Sequence, residues 1–269
     1  MTSLKAEHRL SERRACSLMK LSRTVFHYRP QPKDDHEIEE ALAELAAGNP
    51  EYGFSKFFKI LRRCGRGWNH KRVYRVYCSM KLNKRRKHKR RLPARNPDPL
   101  AVPASANQCW SADFMSDALW DGRRFRTFNV VDDFNREALA IEVDTSLPSE
   151  RVTRVLDQIA EWRGLPRRLR FDNGPEFTAI AVADWAERNQ VELEFIKPGR
   201  PMQNGFIERF NRTYREAVLD MYIFETLDQV RRQTDEWLTT YNCHRPHDSL
   251  GGLPPSEYLI KYQTGNVYS

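Results

Sequence analysis

The sequence predicts an α/β core, a mixed β-sheet flanked by helices, preceded by all-α segments of helix-turn-helix type. Three observations carry that reading. Apolar residues recur at helical spacing up to about residue 82 and include alternating, strand-like runs only beyond residue 105. Between the two regimes lies a stretch with Pro93, Pro97, Pro99 and Pro103. Charge divides in the same place: residues 1–95 hold 25 Lys and Arg against 9 Asp and Glu, a net of +16, whereas the rest of the chain carries −7.

A basic front joined to a mildly acidic back suits a polyanion-gripping module attached to a metal-binding one, the plainer alternative being a solvated basic tail. The 269 residues, 40% hydrophobic, suffice for a catalytic domain of ordinary size with smaller modules. No apolar run approaches the ~20 residues of a membrane span, and the first residues lack the apolar region of a signal peptide, so a cytosolic protein is expected. The five cysteines are odd in number and scattered, without a Cys-x-x-Cys pair, which argues against disulfides. Cys243, His244 and His247 are too few to be read as a zinc site.

Residues 11–28 read as two short helices, with Ala15, Leu18 and Met19 packing inward and Ser22 capping a second helix that bears Arg23, Val25 and Phe26. Ile38, Leu42 and Leu45 mark an amphipathic helix stopped by Gly48-Asn49-Pro50. Phe57, Phe58, Ile60 and Leu61 mark the next, and Asn69 caps a third with Val73, Val76 and Tyr77 inside. The outer face of that third helix offers His70, Lys71, Arg72 and Arg75 to a polyanion. The block that follows, including Lys84, Arg85, Arg86, Lys87, Lys89, Arg90 and Arg91, cannot pack on itself and reads as a phosphate-tracking linker.

Beyond the prolines, Gln108–Met115 reads as a strand, and Arg124–Val131 with Glu137–Val143 as a hairpin. Ser149 is expected to cap a helix with Val152, Val155, Ile159 and Trp162 on one face, ended by Gly164-Leu165-Pro166. A strand over Arg167–Phe171, a helix marked by Phe177, Ala181 and Trp185, and an alternating strand at Val191, Leu193 and Phe195 follow. Ile207, Tyr214 and Val218 then trace a helix carrying Glu208, and a last one holds Leu227, Val230, Trp237, Leu238 and Tyr241. A mixed sheet with helices on both sides in this order is an RNase H-like arrangement. The expected divisions are a helix-turn-helix-like segment at 1–32, a second at 33–83, a linker at 84–104, the core at 105–262 and a tail at 263–269.

Three acidic residues stand out. Asp172 sits where a strand runs into Asn173-Gly174-Pro175, which cannot continue it, so the carboxylate is placed at the strand's exit. Asp113 lies amid apolar residues in the first strand, and Glu208 enters a helix with 35 residues between it and Asp172, room for a helix, a strand and a loop. Any one acid at a turn is ordinarily a cap or a solvated charge, as with Asp132, Asp133, Asp144 and Glu176. Three carboxylates converging from separate elements are what two Mg²⁺ ions need, since hard cations prefer oxygen and a metal pair clamps both oxygens of an in-line phosphoryl displacement. Asn173, Asn204 and Arg212 are candidates for holding those groups or a water in place.

The runs Asp-Asn-Gly-Pro-Glu-Phe from Asp172 and Gln-Asn-Gly-Phe-Ile-Glu-Arg-Phe-Asn-Arg from Gln203 resemble those of DDE transposases and retroviral-type integrases. From about residue 12 to 260 the chain is similar to the OrfB protein of the insertion-sequence-three family of bacterial elements. The resemblance implies Asp113, Asp172 and Glu208 as catalytic and metal-binding residues, with two Mg²⁺ ions and Mn²⁺ as a substitute. It implies DNA cleavage and strand transfer at the terminal inverted repeats, with target DNA, a homo-multimer on DNA and an upstream OrfA protein or OrfAB fusion as partners. The setting it implies is the bacterial cytoplasm, in association with the nucleoid. A regulator derived from a transposase but catalytically inactive, and a nuclease that only cuts, are the alternatives.

Overall fold

A computed structural model describes residues 10–29, 34–84, 100–172, 174, 180–196 and 204–267. The chain divides into two compact units, Met1–Ala41 and Leu42–Ser269. In the first, helices α1 (Glu12–Leu18) and α2 (Arg23–Phe26) are each opened by a serine, Ser11 and Ser22, whose hydroxyl accepts a backbone N–H of the first turn. Ala15 and Cys16 are buried, but Leu18 and Met19 are not: Leu18 is 63% exposed. Helices of seven and four residues have too little surface to cover a full apolar stripe, so the inward packing expected of these two side chains does not occur. Helix α3 (His36–Gly48) spans the division.

In the second unit, α4 (Phe54–Arg63) and α5 (His70–Ser79) form the helical segment that precedes the core. Asn69 caps α5 through its side chain, and Val73, Val76 and Tyr77 are buried as the spacing predicts. The linker's basic residues from Arg85 to Arg91 lie outside the described residues. The sheet then comprises β1 (Trp110–Ala118), β2 (Arg124–Asp132), β3 (Ala138–Asp144), β4 (Arg168–Phe171) and β5 (Glu192–Phe195), in the spatial order β3-β2-β1-β4-β5. The first three strands form an antiparallel meander, and β4 and β5 join in parallel through helical crossovers.

Each face of the sheet carries its own core. Trp110, Ala112, Phe128, Val130, Leu169 and Phe171 pack with α6 (Ser149–Arg163) and α7 (Ile180–Arg188). Met115, Phe125, Val131, Ile141 and Val143 pack with α8 (Gly205–Tyr214) and α9 (Leu227–Cys243) on the other. A π-helical turn, Arg215–Leu219, continues α8, and a 3₁₀ turn (Asp248–Leu250) precedes α10 (Pro255–Val267). The side chain of Asn242, near the end of α9, accepts from the Ala138 backbone N–H at 3.0 Å and donates to the Ala138 carbonyl at 2.9 Å.

Helix α6 ends at Gly164 as expected but departs from expectation at its cap and at Trp162. Pro148 occupies the cap position and makes no side-chain cap bond, so Ser149 is the first helical residue. Gly164, at φ +84°, ends the helix in a conformation that favours glycine. Trp162 is 59% exposed. The buried stripe is Val152, Val155, Leu156 and Ile159, and at 3.6 residues per turn its centre continues to Arg163, not Trp162. Arg163 turns inward to Glu137 at 2.8 Å and Asp132 at 3.3 Å. Ile159→Ala should therefore cost about 2–5 kcal/mol, and Trp162→Ala no more than about 0.5 kcal/mol, in urea unfolding; equal losses would contradict this placement.

Candidate active site

Strand pairing brings the first two carboxylates together. The parallel register of β1 and β4 sets Trp110 beside Leu169 and Ser111 beside Arg170, and carried two residues further it sets Asp113 beside Asp172. Neighbouring strands lie about 4.8 Å apart. Alternation decides the face. Trp110 and Ala112 point to the α6 and α7 side and Met115 to the α8 side, so Asp113 points to the α8 side, as does Asp172, which is out of phase with Leu169 and Phe171.

Helix α8 lies over that face with Ile207, Phe210, Asn211 and Tyr214 buried beneath it. Asn211 is the link. Its Nδ2 donates to Asp113 Oδ2 at 2.7 Å, while its Oδ1 accepts from Asn129 Nδ2, also at 2.7 Å. Asn129 stands directly across from Asp113 in the β1–β2 register. This relay fixes the start of α8 over β1 and presents Glu208, one turn before Asn211, on the exposed side of the helix.

Asp113 Oδ1 accepts from the Phe114 backbone N–H at 2.8 Å, and Asp172 Oδ1 accepts from the Gly174 N–H at 2.9 Å. Burial pushes the Asp113 carboxyl up to about 6, and the charges of Asp172 and Glu208 push the same way. The Phe114 N–H and the Asn211 amide oppose them by favouring the charged form. The charges of Asp172 and Glu208 thus both reach Asp113, and a divalent cation, which takes oxygen donors, would relieve that repulsion. Among the described residues, no three His, Cys, Asp or Glu side chains stand close enough to enclose an ion between them.

The other expected residues fall in different places. Asn204 is buried at the cap of α8, its Oδ1 without a hydrogen-bond partner among the described residues and making no cap bond. Arg212 is exposed. Asn173 and Glu176 lie outside the described residues. Arg23 is on α2 in the first unit, and His70, Lys71, Arg72 and Arg75 are on α5, where the His70 ring packs edge-on to Phe54 and Phe58. Lys84 bonds the Glu51 carbonyl. Asn129 and Asn211 were not among the sequence candidates.

A mixed sheet of this order, with one acid within β1, a second just past the end of the adjacent parallel strand β4 and a third on the covering helix, is an RNase H-like, integrase-type core. Family models described as the integrase core domain match residues 103–201 and 189–255. The chain is 41% identical to the 31.7 kDa protein of insertion element IS407 from Burkholderia multivorans, over 98% of this chain and 95% of that one. It is also 41% identical to the 39.2 kDa protein of insertion element IS476 from Xanthomonas euvesicatoria, over 95% and 74% respectively. Transposase InsD of insertion element IS2D from Escherichia coli is 27% identical over 86% of this chain and 81% of its own. The HTLV-2 integrase catalytic core, solved with magnesium, aligns with 58% of this chain and 97% of its own at TM-score 0.48 and 17% identity, too distant to weigh on the assignment. The chain belongs to the DDE transposases of the insertion-sequence-three family, whose core is of the retroviral-integrase type. Among the described residues no helix is long and apolar enough to cross a membrane.

Proposed function

We propose that the chain cuts DNA at the ends of its insertion element and joins the freed 3′-hydroxyl to a second phosphodiester, with Asp113, Asp172 and Glu208 as the catalytic carboxylates. The observation that carries this is the Asn129–Asn211–Asp113 relay, which ties the helix bearing Glu208 to the strand bearing Asp113. Asp113, Asp172 and Glu208 would hold two Mg²⁺ ions, or Mn²⁺ in their place, and the chemistry supplied there would be Lewis acidity toward the scissile phosphate and the incoming oxygen.

The chain's own part is positional. Asn211 and the Phe114 N–H hold both oxygens of Asp113, so its free lone pairs keep a fixed aim. The Gly174 N–H does the same for one oxygen of Asp172. Glu208 is exposed and free to meet an incoming strand. No ATP and no covalent protein–DNA bond is required. In the cut, water adds to the phosphorus and the 3′-oxygen leaves as a hydroxyl, with a 5′-phosphate on the other side. In the joining step that 3′-hydroxyl displaces the 3′-oxygen of a second phosphodiester, so one diester replaces another. DNA ends and target DNA are the substrates, and the element would leave by joining one end to the other as a circle. The protein would act as a homo-multimer on DNA, alone or with an upstream OrfA partner or as an OrfAB fusion, in the bacterial cytoplasm.

Protein incubated with Mg²⁺ and labelled duplexes bearing the element's ends should yield joined strands. Cut but unjoined products would identify a nuclease, and binding without either product a regulator. Both outcomes overturn the proposal.

A further inference from the structure

Beside α8, four separated stretches of the second unit enclose a cleft of about 390 Å³. Lys56 comes from α4, Arg136 from the β2–β3 turn, Arg209 and Arg212 from α8, and Arg245 from the segment after α9. Two carboxylates line it as well, Glu216 and Asp248, and Asp248 is already paired with Lys59. The cations therefore outnumber the acids that line the cleft.

Arg245 is only 7% exposed. It packs against the rings of Tyr52 and Tyr241, and its Nη1 lies 3.5 Å from Glu51 Oε1 without a hydrogen bond to any described group. A buried guanidinium nitrogen with an unmade bond is costly, and structures seldom keep one without a use for it. Arg136 is held over the Phe206 ring at 3.6 Å, which fixes a second guanidinium at the same wall. The local potential shows in two neighbours. His247 is pushed down to about 3 by burial, then by Arg245, Lys56 and Arg136, and Lys56 is pushed down to about 8 by burial and then by Arg245.

We propose that this cleft holds a backbone phosphate of the DNA strand passing the carboxylate site, with Arg209, Arg212, Lys56 and Arg245 as its donors. The placement favours a strand over a small anion: Arg209 and Arg212 follow Glu208 along one helix, Arg212 one turn or about 6 Å further on, comparable to the spacing of successive phosphates. The inference rests on the reading of the chain as a strand-transfer enzyme. It adds that the segment from Arg245 to Asp248 and helix α4 meet in one grip, joined by the Lys59–Asp248 ion pair, while Arg63 ties α4 to Glu257 on α10.

The test is binding to a short end-bearing duplex in EDTA, so that no chemistry is needed and a failure to join strands cannot imitate it. Arg245 is too buried to change safely, so Lys56→Gln with Arg209→Gln is the working variant, and Arg209→Gln with Arg212→Gln is a second if the first melts early. The working pair should weaken binding about tenfold and flatten the plot of log affinity against log salt by about one. Arg154→Gln with Arg188→Gln, the same charge change on α6 and α7 across the sheet, should change binding less than about twofold. Equal losses from the two pairs would overturn the proposal. So would displacement of the duplex from the wild-type protein by millimolar inorganic phosphate at constant ionic strength, which would mark a site for free anions.

Discussion

Glu208→Gln should abolish both strand cleavage and strand joining, by at least about a hundredfold each, while leaving affinity for DNA within about twofold. Glutamine keeps the length and the carbonyl oxygen but not the charge, and it is the charge that a cation pair would require. The side chain is exposed and contributes nothing to the core beneath α8. Its charge acts on Asp113, whose carboxyl it helps push above its ordinary range. Removing it should therefore leave the metal-free protein at least as stable as the parent, in keeping with sites that hold repulsion for the sake of function. Gel-resolved products of both steps, filter binding and a thermal melt check the three parts. Retained joining would remove Glu208 from the site; lost binding or early melting would make the effect structural.

Arg170→Met should be the most damaging change away from the site. Arg170, on β4, donates to Asp133 at 2.9 Å, and Asp133 is fully buried. Glu194, across the register on β5, approaches the same guanidinium at 3.3 Å. Removing one partner of a buried pair leaves an unpaired charge and costs about 3–5 kcal/mol, or roughly 10 °C in melting temperature for a unit of this size. The pH dependence has a definite sign. Burial already pushes the Asp133 carboxyl above its ordinary range, against the pull of Arg170. An acid whose pKa is raised by folding opposes folding increasingly as pH rises through that window. Without Arg170 the rise is larger, so the deficit should be greatest at mildly alkaline pH and shrink on mild acidification. Asp133→Leu in the same chain should recover part of the loss; a deficit independent of pH would show that Asp133 is not the group left stranded.

The element order was legible in the sequence because alternation and helical spacing are strong beyond residue 105, and the end of β4 at Phe171 because Asn-Gly-Pro admits no strand. The partners of the site were not. Asn129 and Asn211 are 82 residues apart and meet only through the β1–β2 register and the seating of α8, neither of which has a local signature. Arg163 was hidden for a related reason: an arginine at the centre of a buried stripe makes sense only once Asp132 and Glu137 are seen behind it. Leu18 and Met19 look like core residues at their spacing, but spacing says nothing about whether a helix of seven residues finds a surface to cover them. The cleft's cations come from four stretches far apart in the sequence, and of them only Arg212 was a candidate there.

The amide of Asn242 has a consequence for where this catalytic core ends. Strand β3 is the sheet's outer member on that side, with backbone groups that would otherwise be open to pairing with another molecule. Through its two bonds to Ala138, Asn242 imitates the first rung of a neighbouring strand and occupies that rim. The smallest self-sufficient piece of the core therefore runs well past Glu208: a protein trimmed after that residue's helix would keep all three proposed carboxylates and expose a sticky border in solution.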